Sequence, residues 1–382
     1  MDKNLHIDIT YHQSNKGSNA SCGDVVCFER NQSGTIIILC DGIGSGFKAH
    51  IAAKMCVARI KGLLQRGFSF HKTFSNVIKT MNQWKSPDKP YCAFSLARIR
   101  NDGEVTILSY EAPGAILVSS TVVELPQRTI VIDGIIAKES TCFLVPSEGL
   151  VFVSDGIVQS GLGRQLPTGW TGEMIAKYIT ELIRDKVPRK NIAKSVHDEA
   201  LKFSNNIKQD DNTVIYASCR IGNSVNIFTG PPVSRSSDHS TVNKFLNMPG
   251  PKIVCGATTA AIVARESKRE IGIENDSSSM LAPPRYYIEG IDLVTEGAVT
   301  LNQLYNIIDI HPSELKEDSG VNDLYELLTQ ADKINFILGS GLNPASKDIS
   351  FCQKGILTRD KIIPLLANNL REKGKLVLIA EV

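Results

Sequence analysis

Thr35-Ile36-Ile37-Ile38-Leu39-Cys40-Asp41-Gly42-Ile43-Gly44-Ser45-Gly46 marks a change of period in this chain. An apolar run of strand length leads into an aspartate and a glycine-rich turn. Beyond it Phe47, Ile51, Met55, Ile60 and Leu64 recur at helical spacing, which predicts a long amphipathic helix. A single Asp-Gly after a strand most often makes a turn. Here the pattern returns. Leu150-Val151-Phe152-Val153-Ser154 ends at Asp155-Gly156, and Asp210-Asp211-Asn212 leads into Thr213-Val214-Ile215-Tyr216. Asp24 follows Cys22-Gly23 and opens a further strand.

The strands of one sandwich can gather such ends into one cluster. Carboxylates that converge without Lys or Arg nearby repel, and their ionised forms are costly unless cations are bound. A donor set made only of oxygen suits hard ions, Mg²⁺ or Mn²⁺, and not zinc. Two such ions close together activate a bridging water and neutralise charge on a phosphoryl group. Gly42 lets the backbone approach a metal closely and offers its carbonyl as a ligand.

Outward from these ends, the first half reads as strands in blocks and helices in blocks. Leu5–Tyr11 alternates as a half-buried strand, and Val25–Glu29 pairs with Thr35–Cys40 around the turn Asn31–Gly34. A helix is predicted over Thr73–Trp84, then strands over Tyr91–Ile99, Glu104–Tyr110, Ala115–Ser119 and Thr129–Ile136. Helices over Gly172–Arg184 and Arg189–Phe203 precede a closing strand, Thr213–Cys219. Blocks of this kind predict a layered α+β sandwich.

The segment Thr229–His239 is rich in Pro, Ser and Gly. It predicts a linker over 226–239, between a domain at 1–225 and a smaller α/β domain at 240–382. In that second half a strand is predicted over Ile288–Val294. Cys255-Gly256-Ala257-Thr258-Thr259 joins a strand to a helix, and Gly339-Ser340-Gly341 comes after another strand. Amides at a helix start favour anions. The first stretch lacks the Lys-Ser/Thr ending of a nucleotide P-loop, so a turn with a capping threonine is the simpler reading.

Composition narrows the classes. With 42% hydrophobic and 21% charged residues and a formal charge of +2, the chain is globular and has no basic stripe, which argues against nucleic acid as partner. Its apolar runs fall short of the roughly 18–20 residues that span a bilayer, so no membrane role and a cytoplasmic location are expected. The nine cysteines are scattered with no CxxC pair, which predicts reduced, packed thiols.

In its ordered motifs the chain resembles the metal-dependent (PPM, or 2C-type) protein phosphatases, and within them the bacterial stage II sporulation protein E branch. The resemblance rests on Cys22-Gly23-Asp24, Leu39-Cys40-Asp41-Gly42-Ile43-Gly44-Ser45-Gly46 before a helix, Val153-Ser154-Asp155-Gly156-Ile157 and Asp210-Asp211-Asn212-Thr213-Val214, over residues 5–220. It implies a four-layer αββα sandwich and two ions, Mn²⁺ or Mg²⁺. Asp41 would bridge both ions and Gly42 would give its carbonyl to one. Asp155 and Asp210 would ligate the second, and Asp24 would act through metal-held water. Asp211 falls where relatives carry Asp or Asn and ranks below Asp210. The implied activity is hydrolysis of phosphoserine or phosphothreonine, with Asp41 and Asp24 central to catalysis and no phosphoenzyme. The implied partner is a phosphorylated regulator of the anti-anti-sigma type. Ile43 stands where eukaryotic members place a histidine, which fits the bacterial branch and leaves the proton donor unassigned. No phosphate-binding Arg comes before Asp24; Arg30 and Lys48 are the nearest candidates, and solvated surface charges are the simpler reading of both. Two rival readings are a phosphatase-like binding module with little turnover and a small-molecule phosphatase.

Overall fold

The structure, a computed structural model, describes residues 5–17, 21–44, 46–85, 91–205, 210–274, 285–311, 314, 319–341 and 355–382. The chain divides into two compact units, residues 1–221 and 222–382.

The first unit is built from two antiparallel sheets. One contains β1 (Leu5–Ser14), β6 (Ile116–Val118), β7 (Val122–Glu124), β10 (Gly149–Val153) and β11 (Asn212–Ile221), in the order β1-β11-β10-β6-β7. The other contains β2 (Asp24–Asn31), β3 (Gly34–Gly42), β4 (Cys92–Ile99), β5 (Glu104–Tyr110), β8 (Arg128–Ile132) and β9 (Ile135–Phe143), in the order β2-β3-β4-β5-β9-β8. The apolar run Thr35–Cys40 lies in β3, which is buried on both faces. Ile36, Ile38 and Cys40 pack with α1 (Gly46–Gln65) and α2 (Phe70–Gln83), while Ile37 and Leu39 face the core between the sheets. On the other sheet Val151, Val153, Val214 and Tyr216 pack beneath α4 (Gly172–Arg184) and α5 (Ile192–Phe203), and Leu150, Phe152 and Ile215 complete the inter-sheet core. Helix, sheet, sheet, helix is the order of layers, as the αββα expectation required. The one-turn helix α3 (Asp155–Val158) comes directly after β10 and its Ser154.

Four expectations differ in detail. The segment Thr129–Ile136 is not one strand; Asp133-Gly134 turns the chain between β8 and β9, with both residues at positive φ. In α1 the helical period is present and Ile60 and Leu64 pack on the core as expected, but the large residues of its first half face outward: Phe47, Ile51 and Met55 are 70%, 38% and 46% exposed. Ala49, Ala52, Ala53 and Cys56 are buried instead, because small side chains let the helix lie close on β3. The expected strand Ile288–Val294 is two strands, β15 (Arg285–Ile288) and β16 (Leu293–Thr295). Ser45 of the glycine-rich turn lies outside the described residues, as do residues 275–279 and 342–344.

The fourth difference is the linker. The units divide between Ile221 and Gly222, and residues 224–229 form β12 (Ser224–Thr229), the middle one of five parallel strands in the second unit's sheet. Polar residues disguise it. Asn226 is fully buried, donates to the Pro249 carbonyl at 2.9 Å and accepts from Asn335 at 2.8 Å, which offsets its desolvation. The Pro- and Ser-rich stretch runs on into α6 (Asp238–Leu246).

The second unit adds β13 (Lys252–Cys255), β14 (Ile271–Glu274), β17 (Lys333–Leu338) and β18 (Leu376–Glu381), in the order β14-β15-β16-β13-β12-β17-β18. From β16 to β18 neighbouring strands are parallel. α6 and α7 (Ala257–Ser267) cover one face, and α8 (Ala298–Ile307), α9 (Gly320–Gln330) and α10 (Arg359–Glu372) cover the other. This is a doubly wound α/β domain.

Candidate metal centre

β2 and β3 pair antiparallel so that Asp24, the first residue of one, stands opposite Asp41, near the end of the other. In the other sheet of this unit β10 and β11 pair with Val153 opposite Val214, which carries Asp155 and the Asp210-Asp211 pair to one edge. Ser154 stitches that edge. Its Oγ accepts from the Thr213 amide at 2.9 Å and donates to the Asp211 carbonyl at 3.5 Å. The two sheets meet here: the Thr213 hydroxyl donates to Asp24 Oδ2 at 2.5 Å, and Gln13 donates to Thr213 Oγ1 at 3.0 Å.

Glycines make this approach possible. A Cβ on Gly156 would lie 2.2 Å from the Asp211 carbonyl oxygen, 2.6 Å from Asn212 Oδ1 and 3.2 Å from the Asp210 Cβ. One on Gly42 would lie 2.1 Å from the Ala49 carbonyl, so the glycine lets the first turn of α1 close over the end of β3. One on Gly23 would lie 2.8 Å from Asp211 Oδ2 and 3.4 Å from the Gly42 carbonyl, which places that carbonyl among the carboxylates.

The electrostatics reflect this crowding. Burial, then the charges on Asp24, Asp155 and Asp210, push the Asp41 carboxyl up to about 10, and Asp155 accepts a hydrogen bond from its protonated form. Asp24, 2% exposed, is pushed up to about 7 by burial, against the hydrogen bond from Thr213, with Asp211 and Asp155 adding repulsion. Burial and the Asp155 charge also raise Asp210, and Lys16 opposes them. Asp41 therefore interacts with Asp24, Asp155 and Asp210, whereas Asp211 lies against Gly23 and accepts from the Lys16 amide at 2.8 Å.

Lys16 corrects the expectation of a site without cations. Its Nζ lies 3.4 Å from Asp210 Oδ1. β1 pairs with β11, Ser14 opposite Asn212, so the loop after β1 falls beside the loop before β11. No motif signals this, because the partners are 194 residues apart. Arg30 is at the other end of β2, bound to His6 and the Leu5 carbonyl, away from the acids. Lys48 is exposed on the first turn of α1.

The residues suit hard divalent cations. Asp24 Oδ1 is buried with no hydrogen-bond partner among the described residues, as is Asn212 Oδ1, and the donors are all oxygen. Among the described residues the acids are gathered but not closed: the one trio whose donor atoms lie within 4.8 Å of one another is Cys40, Cys56 and Cys92, buried behind β3. Mutual repulsion keeps unneutralised carboxylates apart, and a cation would draw them in.

A pH dependence results. An acid whose folded pKa exceeds its unfolded value binds more protons folded than unfolded, so stability falls as pH rises through that window. The window runs from 3.8 to about 7 for Asp24 and from 3.8 to about 10 for Asp41. In chelator, melting temperature should therefore decline between about pH 5 and 9, and saturating Mn²⁺ should flatten the decline. A profile that is the same with and without metal would contradict the assignment.

The family model for Stage II sporulation protein E (SpoIIE) matches residues 31–220. Similar solved structures include the RsbU and RsbW domains of Rv1364c from Mycobacterium tuberculosis, at 13% identity over 63% of this chain and 67% of that one, with a TM-score of 0.48. The phosphatase domain of the cell fate determinant SpoIIE from Bacillus subtilis gives 16%, 57%, 94% and 0.43 in the same terms. The S. agalactiae serine/threonine phosphatase gives 16%, 56%, 99% and 0.42. No match was found among curated proteins.

Proposed function

We propose, from the premise that residues 31–220 belong to the stage II sporulation protein E family, that this phosphoprotein phosphatase is a metal-dependent serine/threonine enzyme. Its substrate is a phosphorylated regulatory protein of the anti-anti-sigma type. The observation that carries the reading is the meeting of Asp24, Asp41, Asp155 and Asp210 from the ends of two sheets, with Asp41 held protonated unless a cation replaces the proton.

Asp41, Asp155, Asp210 and the Gly42 carbonyl would hold two divalent ions, Mn²⁺ or Mg²⁺, with Asp24 and Asp211 behind them. When bound, such ions supply positive charge that lowers the pKa of water and neutralises phosphoryl oxygens. The chain's own groups do the positioning. Thr213 and Ser154 orient Asp24 and the Asp211 backbone. Gln159 donates to Asp155 Oδ2 at 2.9 Å and holds that carboxylate. Lys16 brings a positive charge to the rim, where it would exchange Asp210 for a phosphate oxygen.

A protein substrate is favoured by the surface next to the acids. Phe47, Ile51 and Met55 stand exposed on successive turns of the helix that comes after Asp41-Gly42. The cytoplasmic reading rests on the eight described cysteines, all free. No described helix is long and apolar enough to cross a membrane.

The test is phosphate release from a phosphoserine-bearing regulator. Full-length protein with Mn²⁺ should release phosphate, and excess EDTA should stop it. Turnover confined to small phosphate esters would replace this reading with a metabolite phosphatase. Metal binding with no turnover on any ester would make the domain a binding module.

A further inference from the structure

The second unit holds a cavity of about 610 Å³, a size that suits a small-molecule ligand. It lies at the carboxyl ends of the parallel strands: Cys255 ends β13, Glu296 comes just after β16, Leu338 ends β17 and Glu381 ends β18, and all four line it. Counted within the unit, the parallel strands run 3-2-1-4-5, so the order reverses beside β12. Doubly wound sheets bind their ligands at that reversal.

Helices α7, α8 and α10 begin in the wall, and none has a side-chain cap. Gly256 and Gly297 precede the first two at φ +119° and +104°, and a Cβ on Gly297 would come within 2.9 Å of the Gly256 Cα. Elsewhere α2, α4 and α9 are capped by Ser69, Thr171 and Ser319, while α3, α5 and α6 also lack a side-chain cap but do not converge on one cavity. The amides of three helix starts are therefore directed at one cavity without an oxygen from a capping side chain.

Arg359 in the wall suits an anion, and Thr229 lies behind the wall without lining it. Thr229 ends β12 in register with Cys255 and Leu338, both wall residues. It is fully buried, and its hydroxyl has no hydrogen-bond partner among the described residues. Arg359 lines the cavity with no hydrogen bond or ion pair to any described residue. Its Nη1 would be 1.7 Å from a Cβ on Gly230, so it lies directly over that glycine. Burial lowers its pKa, and Asp360 offsets this in part. A half-buried guanidinium among helix starts is a setting that phosphate completes. Glu296 and Glu381 would repel a bare phosphate, but they can accept from hydroxyl groups.

We propose that this cavity binds a nucleotide, with its phosphate on the starts of α7, α8 and α10 and on Arg359, and its sugar hydroxyls donating to Glu296 and Glu381. The proposal is independent of the phosphatase reading. The test is calorimetric titration of the full chain in EDTA, which leaves the acidic centre unloaded, with adenine and guanine mono-, di- and triphosphates, the matching nucleosides and inorganic phosphate. At least one nucleotide should bind one per chain, and its nucleoside and inorganic phosphate should each bind at least about tenfold more weakly. Arg359→Gln should weaken the nucleotide by at least about tenfold. Thr258→Glu should do the same, although a carboxylate in the exposed first turn of α7 favours the helix itself, so its effect cannot be loss of folding. No binding by any nucleotide, or binding that survives both substitutions, would overturn the proposal.

Discussion

Asp41→Asn is expected to abolish phosphate release while leaving the fold intact. The Asp41 carboxyl, pushed up to about 10, is neutral at ordinary pH without metal, and asparagine is a neutral group of nearly the same shape. In chelator the variant should therefore melt no lower than the parent. With metal the two should part. A ligand that binds only the folded state at about 100 times its Kd adds about 2.7 kcal/mol, and the variant should lose most of that gain. Activity should fall by more than the roughly 10- to 100-fold typical of groups one shell further from a metal. The check is paired melts and rates with and without Mn²⁺. A variant that still responds to Mn²⁺ would remove Asp41 from the centre.

Gly156→Ala should be almost as damaging, although it removes no functional group. Its Cβ would meet the Asp211 carbonyl oxygen at 2.2 Å, a backbone atom that cannot swing aside. Either α3 or the loop before β11 must shift, at about 1–3 kcal/mol of strain. Asp155 and Asp210 are carried on those two segments, and a displacement of about 1 Å can cost about 100-fold in rate. Gly62→Ala provides the contrast. It lies in α1 with nothing within 4 Å of a new Cβ, so it should gain up to about 1 kcal/mol and keep full activity. Equal activity in the two variants would show that the tight packing at Gly156 does not position the acids.

Such tight packing is not written in local sequence, whereas the acids it positions partly are. Asp41 and Asp155 are legible because each comes after a strand buried on both faces, and such strands read as unbroken apolar runs. Asp24 is legible only through its place before a strand. Its burial and its pairing with Asp41 depend on hairpin register. Lys16 is invisible, since only the β1–β11 pairing brings it to Asp210. In the first half of α1 hydrophobic size points to the wrong face, because close helix-on-sheet packing selects Ala49, Ala52 and Ala53, whereas Ile60 further on is buried as its size suggests. The large residues left outside form the exposed apolar surface beside the acids. In the second unit, a strand with Asn226 in its interior and Thr229 at its end does not look apolar enough to lie inside a sheet. The Asn226 amide is satisfied only by partners more than 20 residues away.

Anomalous diffraction from a Mn²⁺-soaked crystal tests most directly whether the strand-end carboxylates form a two-cation centre. Two peaks should appear among Asp41, Asp155, Asp210 and the Gly42 carbonyl, with Asp41 touching both. No peak there, or density only at Cys40, Cys56 and Cys92, would contradict it.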